Sequence, residues 1–170
     1  MTPLENNTLA DFTSTALIIP SLHTARSAEV MQELSDVLHS ENPTIPEHLF
    51  HNLSALNHEL LTGLFLDFGA AFPKVIVPQL QRPRFALGRS AEPLPWRAKR
   101  LPPVQLVFLA VGSSAGDVAY QQLVAALTRL GKNSIRLESL RNAPSAEAML
   151  AVLEYLPIRD ESKRGTGSTT

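Results

Sequence analysis

The stretch Gly69-Ala70-Ala71-Phe72-Pro73-Lys74-Val75 ends a long apolar run with a proline and, immediately after it, a primary amine. A lysine so placed has two readings. Buried in an apolar pocket it can act as a nucleophile; at the surface it snorkels, with its stem packed and its ammonium in water. Cysteine is absent, which removes disulfides, thiol catalysis and thiolate metal sites. The histidines are His23, His39, His48, His51 and His58, and none belongs to an HExxH zinc motif. His48 and His51, at i,i+3 on one helix, make an incomplete metal pair or simply two solvated side chains. His51 and His58 share a face of the same helix, and His58-Glu59 precede the strand that leads to Lys74. There is no Walker loop, no GxSxG elbow and no GxGxxG. "VGSSAGD" (Val111 to Asp117) places small residues at a strand–helix junction, where a phosphate can be cradled or a tight turn with a serine cap can form. No cofactor is expected.

The elements that must position these residues follow from punctuation and periodicity. Residues 1–15 are polar and expected to be loosely held. "ALIIPSL" (Ala16 to Leu22), interrupted by Pro20, reads as an edge strand or lead-in. A helix from about Ser27 would bury Val30, Met31, Leu34, Val37 and Leu38, and "ENP" breaks it. Thr44-Ile45-Pro46-Glu47 has capping-box spacing and predicts a second helix from about Ile45 to Leu61, with Leu49, Leu53, Leu56 and Leu60 inward. The run from Leu64 to Phe72, bounded by Gly69 and Pro73, reads as strand, as does Pro83 to Ser90. "VQLVFLAVG" (Val104 to Gly112) is apolar almost throughout, as a central strand covered on both faces must be. The next helix would turn Tyr120, Leu123, Val124, Leu127 and Leu130 inward and end at Gly131. A short helical piece at Ile135–Arg141 and a last helix from Pro144-Ser145, burying Met149, Leu150, Val152, Leu153 and Leu156, complete the domain over residues 16–157. The tail, 158–170, is expected to be disordered. The fold class is α/β, a small mixed sheet flanked by helices on both sides.

With 170 residues, 44% hydrophobic and 18% charged, the chain suits one globular domain. No apolar run approaches the roughly 20 residues of a membrane span. The start, "MTPLENNTLADF", lacks a cationic region, so no signal peptide is expected and a bacterial cytoplasm is the expected compartment. Net charge is −1, yet residues 1–62 hold Glu5, Asp11, Glu29, Glu33, Asp36, Glu41, Glu47 and Glu59 against Arg26. Residues 74–100 hold Lys74, Arg82, Arg84, Arg89, Arg97, Lys99 and Arg100 against Glu92. Such polarity either steers an anionic partner or forms two solvated faces. Phe85 and Trp96 are too few aromatics for a nucleic-acid groove.

From His58 onward the order and spacing resemble the IIA domain of the bacterial sugar phosphotransferase system, fructose/mannitol type, nitrogen-regulatory IIA proteins included. That family carries an Arg-Glu pair, a Thr-Gly-x-Gly-x-Gly segment and "A-I-P-H", whose histidine accepts the phosphoryl group. Pro73 matches the motif proline, Ala71-Phe72 its "A-I", Gly69 the last glycine and His58-Glu59 the Arg-Glu pair, without a gap. "PRFALGRS", "PPVQLVFLAVG" and "AYQQLVAAL" are similar to the family's later segments, and "LIIPSLHTARSAEVMQELSDVL" to its opening strand and helix. The resemblance runs from about Leu17 to Leu156.

It implies a mannitol-type three-layer sandwich with an altered site. Lys74 stands at the phosphoryl-acceptor position and Tyr120 at the second histidine. His58 stands for the arginine, Leu64 for the threonine and Asp67 for a glycine; Glu59 alone is retained. An imidazole offers a ring nitrogen near neutral pH, whereas an ammonium has no free lone pair. Carboxylates at Asp67 or Glu59 would favour the charged lysine. The resemblance therefore implies a degenerate, regulatory IIA-like pseudoenzyme of the sugar-transport phosphotransferase system, without phosphoryl-carrier activity. It would bind a protein partner, either a phosphotransferase component or a regulated enzyme or transporter. The alternative is a working phosphocarrier with a relocated acceptor, His58. A third reading is anion or nucleotide binding through Lys74 and the arginines of 82–100.

Overall fold

The computed structural model describes residues 7–24, 26–47, 65–66, 69–94 and 104–159. Within these, six strands form one mixed sheet: β1 (Ile18–Ile19), β2 (Phe65–Leu66), β3 (Ala70–Ala71), β4 (Lys74–Ile76), β5 (Arg84–Leu94) and β6 (Val104–Gly112). The order is β1-β5-β6-β3-β2, with β4 also on β6. The β5–β6 pair is antiparallel, whereas β1 joins β5, and β3 and β4 join β6, in parallel. The helices are α1 (Ser27–Glu41), α2 (Val118–Gly131), α3 (Ser134–Asn142) and α4 (Ala146–Leu153).

The central strand β6 sorts the core into two layers through its alternation. Leu106, Phe108 and Ala110 pack with Leu123, Leu127 and Leu130 of α2, Leu137 and Leu140 of α3, and Met149 and Leu153 of α4. Val107, Leu109 and Val111 pack on the other side with Val30, Met31, Leu34 and Leu38 of α1. Burial on both faces explains why the strand is apolar throughout, and its ends lie where sequence placed them. The expected mixed sheet between helical layers is the observed architecture.

Several expectations need correction. The run Leu64 to Phe72 is not one strand: β2 and β3 fold back antiparallel, pairing Phe65 with Ala71 and Leu66 with Ala70. Gly69 permits the reversal, at φ 77°, a conformation that a side chain disfavours. Its carbonyl then receives the N–H groups of Gln105 and Leu106. The segment before residue 15 is not loosely held where it is described, because Leu9 and Phe12 are core residues. Leu9 N–H donates to the Leu156 carbonyl, and Ile158 N–H to that of Asn7. Ile158 is thus buried with the domain rather than part of a free tail. Residues 45–47 are not helical, and the rest of the expected helix to Leu61 lies outside the described residues. Strand β5 runs four residues past Ser90, to Leu94.

Candidate functional site

Lys74 is held by its neighbours rather than by its own side chain. Phe72 stacks on Phe108, with centroids 4.7 Å apart and the rings inclined by 2°. Pro73 cannot donate to the ladder, but its carbonyl accepts from Ala110 N–H at 3.0 Å. This break ends β3 and lets β4 restart farther along the same edge of β6, with Lys74 opposite Ala110 and Ile76 opposite Gly112. Register therefore places Lys74 on the face covered by α2, α3 and α4. The residue is half-buried. Among the described residues Lys74 makes no ion pair.

Tyr120 reaches the same corner from α2. Asp117 caps that helix, accepting from Tyr120 N–H at 3.1 Å, and so replaces the serine cap expected of "VGSSAGD". The Tyr120 ring lies on Gly112, where a β-carbon would fall on ring atom Cδ1 and within 2.8 Å of Cε1. The ring is 7% exposed, and burial pushes the phenol above its ordinary range near 10. At neutral pH the phenol is therefore uncharged. Lys74, opposite Ala110, and Tyr120, on Gly112, both lie toward one end of β6. His58, Glu59, Leu64 and Asp67 lie outside the described residues, as do His48 and His51.

The remaining histidines have local partners. His23 Nδ1 lies 2.7 Å from Glu33 Oε2, and His39 Nδ1 lies 2.6 Å from the Ile45 carbonyl. Among the described residues no three His, Cys, Asp or Glu groups gather as a metal site.

Sequence reading missed Arg89, counting it with the basic surface. Its guanidinium donates to four carbonyls: Pro20, at 3.0 Å, and Leu140, Arg141 and Ala143, at 2.9, 3.2 and 2.6 Å. It ties β5 and the β1 exit to the negative C-terminal end of α3. A signal was present, because Phe85, Leu87 and Arg89 alternate on the strand and the first two are core. Gly112 was likewise read only as a strand end, although it makes room for Tyr120.

The comparisons agree with this architecture. Residues 11–155 match the family described as the phosphoenolpyruvate-dependent sugar phosphotransferase system, EIIA 2. A nitrogen regulatory protein of Bradyrhizobium diazoefficiens is 24% identical over 149 residues, 88% of this chain and 96% of its own length. Nitrogen regulatory protein IIA-Ntr of Neisseria meningitidis superposes with a TM-score of 0.65 at 21% identity, over 85% of this chain and 98% of that one. The mannitol IIA of Escherichia coli, solved in complex with phosphorylated IIB, gives 0.66 at 14% identity, over 82% and 95%. This chain belongs to the EIIA 2 family of the phosphoenolpyruvate-dependent sugar phosphotransferase system.

Proposed function

We propose that this chain is an EIIA type-2 domain that no longer carries phosphoryl groups and works as a regulatory protein-binding domain. The observation that carries the reading is the corner itself. Lys74, at the position matched to the acceptor histidine, shares it with Tyr120, matched to the second histidine. A reversible phosphoryl carrier needs a nucleophile with an available lone pair at neutral pH. A lysine ammonium has none to offer, and a buried neutral phenol is a weak nucleophile unless a base takes its proton. Regulation rather than sugar flux is favoured by the nitrogen-regulatory relatives. A phosphotransferase component, or an enzyme or transporter under control, is the partner class. The mannitol IIA–IIB complex supports the first of these. The cytoplasm is the compartment this reading requires.

The test is retention of a partner on immobilised full-length protein. Lys74→Glu should weaken retention, whereas Arg141→Ala should leave it unchanged. Arg141 pairs with Glu138 on α3, whose C-terminal carbonyls are bound by Arg89, and Arg89 aligns with Leu106 at the other end of β6. Equal loss with both variants, or with neither, would refute a binding site at Lys74.

A further inference from the structure

Residues 7–12 and 156–158, distant in sequence, meet at a single rung in which Thr8 lies opposite Pro157 in antiparallel pairing. Two backbone hydrogen bonds flank that rung. Leu9 N–H donates to the Leu156 carbonyl at 2.9 Å, and Ile158 N–H to the Asn7 carbonyl at 3.0 Å. Leu9 and Phe12 belong to a 3-10 turn that packs on α2 and α4, and both share one apolar cluster with Ile158. If either segment leaves, both bonds break and the apolar side chains of the other are uncovered. Arg129, half-buried in the last turn of α2, fastens the rung to that helix. Its Nη2 donates to the carbonyls of Pro157 and Ile158, at 3.2 and 2.7 Å, and such charge-assisted bonds are the stronger kind.

The joint between this strap and the rest of the fold opposes closure. Thr13 and Ser14 run extended, and their hydroxyl oxygens are buried without a hydrogen-bond partner among the described residues. Burying an unpaired hydroxyl costs free energy, so release of the strap recovers hydration there. Strand β6 is the opposite case, paired along both edges and covered on both faces. Segments with few cross-links open ahead of the global transition. We infer that residues 7–12 and 156–158 form one latch, clasped by Arg129, which opens as a unit while the sheet stays folded. Opening bares the apolar surface of α2 and α4 beneath Leu9 and Phe12. The latch is fastened to the end of the helix whose first turn carries Tyr120, the element that positions the candidate site.

Native-state hydrogen exchange on the full-length protein tests this, read residue by residue. In the wild type the Leu9 and Ile158 amides should share one opening constant, at least about a hundredfold larger than that of the β6 amides. Arg129→Met should raise both constants together, by about tenfold, through loss of its charge-assisted bonds, and leave β6 unchanged. Thr13→Val removes a buried hydroxyl at nearly constant size and should lower both constants, by about fivefold. Different opening constants for Leu9 and Ile158 in the wild type, or constants equal to that of β6, would overturn the single latch. An effect of Arg129→Met confined to one of the two amides, or spread equally over β6, would overturn the clasp. Exchange in Thr13→Val that is unchanged or faster would overturn the joint as the source of opening.

Discussion

Replacing Gly112 by alanine probes the packing that defines the candidate site. Its backbone is outside the left-handed region, so the cost is steric rather than conformational. The new methyl would fall on Cδ1 of Tyr120 and 2.5 Å from Cγ, the base of the ring, which cannot swing clear as a flexible tip could. Tyr120 is also anchored by its own N–H to the Asp117 cap, so the ring can leave only if the first turn of α2 shifts. Gly112 has little freedom either, since its carbonyl accepts from Val77 N–H at 2.7 Å and it pairs with Ile76. Overpacking of this kind costs about 1–3 kcal/mol. A domain of this size loses roughly 2–4 °C in Tm for each kcal/mol. The assay is urea denaturation of wild type, Gly112→Ala, Tyr120→Ala and the double variant. With the ring removed, the atoms that the added methyl meets most closely are gone, so Gly112→Ala should then cost much less than it does in the wild type. The large cycle energy is the prediction. Additive effects would refute the placement of Tyr120 on Gly112.

The other predictions concern the supports of the same site. Arg89→Met should cost about 2–4 kcal/mol by leaving several carbonyls without their charged donor. It should speed hydrogen exchange at the end of α3, and Arg89→Lys should restore only part, because one ammonium cannot span Pro20 and the helix end together. Gly69→Ala should cost about 1–2 kcal/mol, read by chemical denaturation, because its φ of 77° becomes strained. The raised Tyr120 phenol has a definite pH signature. Below its ordinary value near 10 both folded and unfolded states keep the proton; above it the unfolded chain releases the proton first, so stability falls as pH rises. Denaturation at pH values from 8 to 11 should show this decline, and Tyr120→Phe should reduce it.

Sequence made the layers legible because their signals were strong and local. The apolar run at β6 and the helical spacing of Val30, Met31, Leu34 and Leu38 both determine which faces are covered. It misjudged Leu64 to Phe72 because periodicity cannot distinguish one strand from two that reverse at a glycine; the left-handed φ at Gly69 is a backbone fact. It missed Leu9 and Phe12 because two apolar residues among polar neighbours show no period, and their burial depends on distant Leu156 and Ile158. Arg89 escaped for a related reason, since charge argues for the surface until its acceptors are known. At the site, the helix carrying Tyr120 was legible, but Lys74 was placed after a strand end, and the strand that carries it, Lys74–Ile76, was not foreseen. The meeting of Tyr120 with Gly112 was not foreseen either, because nothing local in the chain specifies that close approach.

We propose that phosphoryl transfer has been lost. The most direct test is the intact mass of the full-length protein after incubation with phosphoenolpyruvate and the general phosphotransferase enzymes, with the Escherichia coli mannitol IIA treated in parallel. The mannitol protein should gain a phosphoryl group while this chain stays unmodified. An acid-labile phosphoryl adduct on this chain would contradict it, and loss of that adduct in His58→Ala would identify His58 as a relocated acceptor.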